Sequence, residues 1–374
     1  MKRNKTIALV LVIVLAAVTL LGCGSKPVLA ATVGDQEITV TKLENSYTNS
    51  LSYASTYGYD TSTEDGVTQF RDYLLDNLIS SAMKIYQAKL AGITLTDEEL
   101  AAAQTTADQN YQDTLDSFKE QATNAGATNV DAYSKTLLTK ALVQNKTTVK
   151  KLQASMLEDA KNQTLVSKHR TALLEGVALT DEELAAKYTD ELASQKTLFD
   201  KTPSEYFTYE TYAQYGYNAP AVYVPAGFFR VRQILVADEA TALLIKQKID
   251  AGEDFEALLT QYNTDPGMQG TANAAGYLVG EGASYVESFL TAALALAKDG
   301  DVSAPVQSDY GWHIIKRVST EPAHEIAYAD VKDSFDTYEQ ALYQQQTYTD
   351  IVSKWVADDT LVTRFPDNYA SVGK

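Results

Sequence analysis

The sequence predicts an α+β protein: a mostly helical body with a small inserted domain, a four-stranded sheet with surrounding helices. Three observations carry this. Apolar residues recur at helical spacing from Lys42 to Leu90, residues 100–175 are rich in Ala, Gln, Lys and Leu and read as mostly helical, and Ile326 to Val356 again reads as helix. The word Leu-Thr-Asp-Glu-Glu-Leu-Ala-Ala occurs at 95–102 and again at 179–186, and has the form of a helix start. Residues 228–318 break this pattern. They open on FFRVRQILV and close on YGWHIIKRV, two strand-like runs with helical patterns between them.

The chain has 374 residues, which at roughly 100–200 residues per domain makes two or three units. Its net charge is −18. The first 22 residues hold Lys2, Arg3 and Lys5 and no acid, so the remainder sets 28 Lys and Arg against 49 Asp and Glu. So acidic a body argues against nucleic acid as a partner, because phosphate recognition needs a basic surface. It would also be repelled by anionic lipid heads. It favours solubility and basic or unfolded clients.

The elements follow in order. Lys2, Arg3 and Lys5 flank an apolar run, Ile7 to Leu21, interrupted by Thr19. As a helix it would reach about 22 Å, short of the ~30 Å bilayer core. Residues 1–22 therefore read as a secretory signal, with a permanent membrane anchor as the alternative. Leu20-Leu21-Gly22-Cys23 resembles the lipobox of bacterial lipoproteins. That implies cleavage before Cys23, lipidation there, and attachment to the extracytoplasmic face of a bacterial cell membrane; several acyl chains hold stably where one does not. Cys23 is the sole cysteine, so neither a disulfide within one chain nor a metal site of several cysteines is available.

Residues 23–31 read as a tether, and Thr32 to Val40 as strand around a Gly-Asp turn. Phe70, Tyr73, Leu74, Leu78 and Met83 give the Lys42–Leu90 segment its helical face, and Gly92 breaks it. In both repeated words the Thr can cap a helix, and the Glu three residues on can close a capping box. They read either as a duplicated domain or as two well-made helix starts. Residues 187–227 are rich in Tyr (Tyr206, Tyr209, Tyr212, Tyr215, Tyr217, Tyr223) and punctuated by Pro203, Pro220 and Pro225. They read as a linker or insertion closing a helical region over 32–227, its rings either packed on neighbours or offered to unfolded peptide.

Within 228–319, helices are expected over Ala240–Ile249, up to Gln261, and over Tyr285–Leu296. Strands are expected at Val302–Val306 and Trp312–Val318, joined by a turn at Asp309-Tyr310-Gly311. Residues 320–374 read as a helical segment returning to the body, ending in a polar tail.

The order strand–helices–strand–helix–strand–strand, with the words RQILV, YNTDPG, AGYLV and VSAPVQSDYGWHIIKRV, resembles the parvulin (PpiC-like) family of peptidyl-prolyl isomerases. About a quarter of the chain is covered. Together with the lipobox and helical flanks, it looks like the PrsA foldases of Gram-positive bacteria, with a SurA-like helical chaperone region.

The resemblance implies catalytic positions at Asp265, His313, Gln233, Ser308 and Tyr310. It implies a proline pocket of Leu278, Tyr285 and Phe289. It departs from the family at Gln233, where the first of two family histidines is expected, and at Ala275 and Tyr277, in place of a Gly and an Asp. Gln can both donate and accept, so a Gln233–His313 bond would keep the geometry.

Amide rotation costs about 18–20 kcal/mol. It is eased by an apolar pocket and hydrogen bonds to the twisted form, so no metal, nucleophile or cofactor is implied. The P-loop, GxGxxG, HExxH and GxSxG words are absent. His169 and His324 have no ligand spacing.

Three functions follow as expectations. The first is a lipid-anchored isomerase acting on X–Pro bonds of newly exported polypeptides. The second is a holdase with a silent isomerase domain, and the third a passive surface lipoprotein.

Overall fold

The computed structural model describes residues 27–145, 147–268 and 275–374. The signal segment, the lipobox and Cys23 lie outside the described residues. The chain divides into two compact units, one of residues 1–177 and 345–374, the other of residues 178–344.

The first unit opens with a hairpin, β1 (Leu29–Val33) and β2 (Gln36–Thr39). β1 begins at Leu29, inside the segment read as a tether, because Leu29, Ala31 and Val33 have paired strands to join. Gly34 makes the turn at φ 54, and a Cβ there would meet the Tyr86 ring at 2.2 Å.

Five helices follow: α1 (Val40–Ser50), α2 (Glu64–Leu90), α3 (Asp97–Asn124), α4 (Val130–Gln144) and α5 (Val149–Leu173). The expected continuous helix over 42–90 is interrupted between α1 and α2, where Thr63 caps afresh and Glu64 and Asp65 fill the first turn. α2 buries Phe70, Leu74, Leu75, Ile79 and Met83 against Ala30, Val33, Ile38 and Leu43 of the hairpin and α1. Each such side chain contributes about 1.5–3 kcal/mol when taken from water.

The second unit begins with α6 (Asp181–Lys201) and α7 (Glu205–Gln214). The Tyr-rich stretch is thus largely helical, not a linker. Tyr206 is buried edge-on to Phe199 and Phe228, and Tyr209 donates to the Glu191 carboxylate, while Tyr212, Tyr215 and Tyr217 are exposed. The packed reading therefore holds for Tyr206 and Tyr209, while three rings lie at the surface.

β3 (Tyr223–Val224) and β4 (Phe228–Val236) lead into α8 (Glu239–Asp250) and α9 (Phe255–Tyr262). Then come β5 (Tyr277–Val279), α10 (Glu287–Leu294), β6 (Val306–Ser308), β7 (Gly311–Glu321), β8 (His324–Glu325) and α11 (Tyr328–Val356). The expected strand at 302–306 is one bridge, Val302 to Lys316, followed by β6. Pro305, which has no N–H for a ladder, stands between them.

The four-stranded sheet runs β5-β4-β7-β6, with all pairs antiparallel. Helices cover both faces. Ile234, Val236 and Ile314 pack on Ala242, Ile245, Phe255, Leu258 and Leu259 of α8 and α9. Phe229, Val231, Val279 and Ile315 pack on Phe289 and Ala293 of α10. The alternation of strand side chains sets this division.

β9 (Val362–Arg364) and α12 (Pro366–Tyr369) close the chain in the first unit. The expected polar tail therefore carries structure. β9 pairs with β1 to complete a sheet of order β2-β1-β9, and Tyr369 and Val372 enter the core around Phe70.

Candidate active site

Two long strands bring the central pair together. Leu235 of β4 lies opposite His313 of β7, and Gln233 lies opposite Ile315. Gln233 and His313 are therefore diagonal neighbours on one sheet face. Both are buried, as is Asp265 in the turn after α9. Asn263 shapes that turn. Its Oδ1 accepts from the backbone N–H of Leu235 and of Asp265, and its amide donates to the Asp265 carbonyl. The turn is thus tied to the strand that carries Gln233.

The polar groups form an unbroken chain. Gln233 Nε2 donates to Asp265 Oδ2 at 2.6 Å. Gln233 Oε1 lies 2.6 Å from His313 Nδ1, and His313 Nε2 lies 2.6 Å from Ser308 Oγ. The Tyr310 backbone N–H donates to Ser308 Oγ at 3.1 Å, while the Tyr310 ring itself is 72 % exposed. Asp265 Oδ1 accepts from the Gly267 N–H at 2.8 Å, and Oδ2 also accepts from the Tyr277 hydroxyl at 2.8 Å. Burial pushes the His313 pKa below its ordinary value, and the nearby Asp265 charge offsets this in part. The ring is therefore neutral near pH 7.

Aromatic carbon lies beside this chain. Phe289 meets the His313 ring edge-on at 5.5 Å. Tyr285 sits 5.4 Å from Phe289, and Tyr277 sits 5.7 Å from Tyr285. The Tyr285 hydroxyl donates to the Leu278 carbonyl at 3.1 Å, which fixes the ring over the sheet edge.

Of the residues expected from sequence, the fold brings together Gln233, Asp265, His313, Ser308, Tyr285, Phe289 and the Tyr310 backbone. It does not bring Leu278 to them. Alternation in β5 sends that side chain to the Phe199, Tyr206 and Phe228 cluster, away from Tyr277 and Val279.

Tyr277 was not among the expected site residues, although its place in β5, two residues before the buried Val279, marks it for the site's face. His169 stacks on Trp355 in the first unit, and His324 is exposed. Among the described residues, no group of three or more His, Cys, Asp or Glu could hold a metal ion. No helix among them is long and apolar enough to cross a membrane.

Such an arrangement can hold the polar atoms of a substrate amide against ordered, neutral partners while an apolar ring rests on aromatic carbon. That suits rotation about an X–Pro bond. The planar amide is stabilised by resonance, and the site has only to favour the twisted form.

Known families match this chain in two regions. The family model of the PPIC-type PPIASE domain matches residues 210–333, and that of the SurA-like N-terminal domain matches residues 1–126. A "Foldase protein PrsA" of Clostridium acetobutylicum is 25% identical over 369 residues, covering 95% of this chain and 96% of the relative. One from a Geobacillus species is 48% identical over 92 residues, 25% of this chain and 32% of the relative. The match to the Clostridium botulinum protein of the same name spans 50% of that relative. Among solved structures, PrsA from Bacillus subtilis aligns at 20% identity and a TM-score of 0.22, covering 90% of this chain and 94% of that one.

Proposed function

We propose, for a chain that carries a PPIC-type peptidyl-prolyl isomerase domain and a SurA-like N-terminal domain, that it is a foldase speeding X–Pro rotation in newly exported polypeptides. The observation that carries this reading is the hydrogen-bond chain Asp265–Gln233–His313–Ser308 laid against the Tyr285 and Phe289 rings. In it, Tyr285 and Phe289 receive the proline ring. Ser308 and the Tyr310 backbone meet the amide at the rim, and Gln233 takes the bridging role of a second imidazole.

Uncatalysed X–Pro exchange takes tens to hundreds of seconds. The test is the exchange rate of a proline peptide, measured by NMR magnetisation transfer with catalytic amounts of the full-length protein. Acceleration is expected; an exchange rate no faster than in buffer alone would overturn the reading.

Attachment through lipid on Cys23, on the extracytoplasmic face of the membrane, belongs to the same proposal. Its support is the order of basic flank, apolar run and Leu20-Leu21-Gly22-Cys23. Cys23→Ser is expected to move the protein from the membrane fraction to the soluble one. Unchanged fractionation would count against a lipid anchor.

A holdase role is a second reading. It is favoured by a cavity of about 550 Å³ in the first unit, lined by Leu78, Ile85, Met156 and Val166 with Lys42 and Asp159 in its wall. Protection of an unfolded client from aggregation, without faster X–Pro exchange, would select it.

A further inference from the structure

Two of the departures of this chain from the parvulin pattern, Gln233 and Tyr277, meet on one atom. Both donate to Oδ2 of Asp265, at 2.6 and 2.8 Å. Space for the phenol exists because residue 267 is Gly: a Cβ there would lie 1.9 Å from the Tyr277 hydroxyl oxygen. Burial, then the bond to Asp265, raises the Tyr277 pKa, so the hydroxyl stays a donor across the neutral range. With Gly267 N–H on Oδ1 and Tyr277 on Oδ2, the Asp265 carboxyl plane is pinned by two donors besides Gln233.

The consequence runs along the chain. An amide has one donor end and one acceptor end. With Oδ2 held toward it, Gln233 must present Nε2 to Asp265; the flipped amide would set oxygen against oxygen. Oε1 is thereby left facing His313. An amide oxygen has no proton to give, so Nδ1 supplies it, and in the neutral ring Nε2 is the bare acceptor. Ser308 Oγ–H donates into that nitrogen.

We infer that Tyr277 is a positioning residue of the isomerase site, holding Asp265 so that the Gln233 amide keeps the His313 proton on Nδ1 and leaves Nε2 open to Ser308. The effect on rate rests on the isomerase reading above; the proton position does not.

The experiment is heteronuclear NMR of imidazole nitrogens in the full-length protein carrying ¹⁵N-histidine. The chain has three histidines, so His169→Gln and His324→Gln assign the His313 signals by elimination. The expected parent spectrum has His313 protonated at Nδ1 and bare at Nε2. Tyr277→Phe keeps the ring and loses only the hydroxyl. It is expected to give a mixture of the two neutral forms at His313, with His169 unmoved. It should also lower kcat/KM on a proline peptide about tenfold, or ~1.4 kcal/mol, with KM little changed.

Gly267→Ala, which drives the phenol from its seat, should produce the same mixture. A parent spectrum with the proton on Nε2, or a Tyr277→Phe spectrum identical to the parent, would overturn the inference. Absence of catalysis in the parent would sink the isomerase reading alone, because the spectrum reports the proton position without turnover.

Discussion

In the isomerase reading proposed above, Gln233 stands in for an imidazole and changes the chemistry of the site. It bridges Asp265 and His313 with one donor and one acceptor, as a neutral imidazole would, but it does not titrate. The acid response of the site therefore falls on His313. That ring's folded pKa lies below its ordinary value of about 6.5 because burial disfavours the cation. The sign follows from this. The stability held by the neutral ring is present in full above the ordinary value, and is lost as pH falls from there through the lower folded value.

A second proton on His313 would occupy Nε2 and remove the acceptor that Ser308 uses. We expect isomerase rate and stability to be level from about pH 8 down to about 6.5 and to fall only below it. A ¹H–¹³C titration of His313 alongside the rate profile checks this. A midpoint for His313 above the ordinary histidine value would contradict it.

At the scale of elements, local signals were legible and distant ones were not. The repeated Leu-Thr-Asp-Glu-Glu words announced α3 and α6, and both carry complete capping boxes, at Thr96–Glu99 and Thr180–Glu183. All the chemistry of a capping box lies within four residues, so the sequence contains it. The two copies then diverge: Glu99 also accepts from Lys168 of α5, a contact that the word itself does not contain. Which rings of the Tyr-rich stretch pack is not legible for the converse reason. Tyr206 is held by Phe199 and Phe228, and Tyr223 donates to Asp200; such partners are fixed by tertiary packing, not by local composition. The site divides in the same way. Gln233, Asp265 and His313 were found through words that resemble a family. Tyr277, twelve residues from the Asp265 carboxylate it bonds, is not marked as a site residue by any such word, because its place depends on the bare backbone at Gly267.

On the scale of the whole molecule, the chain leaves its first unit at Val177 and re-enters it at Gln345. The unit is therefore closed by its last residues. β9 covers one edge of β1, Phe365 N–H donates to the Ala30 carbonyl, and the Asn368 amide donates to the Leu29 carbonyl. Arg71 lies over the Tyr369 ring and donates to the Ala370 carbonyl, and Val372 is buried beside them. Ending the chain at Ala357 would strip these contacts. Burial of a large apolar side chain is worth about 1.5–3 kcal/mol, and a domain's whole margin is about 5–15 kcal/mol. Loss of Tyr369, Val372 and a strand edge together removes a large part of that margin, and leaves β1 with unpaired backbone groups. We expect amide hydrogen exchange in Leu29–Thr39 and in α2 to accelerate by at least a hundredfold, ~2.7 kcal/mol at 1.36 per tenfold. Protection in β4 and β7, which carry Gln233 and His313 in the other unit, should be retained. Unchanged exchange in β1 would show that the tail is dispensable. Loss of protection in β4 and β7 as well would show that the two units unfold as one.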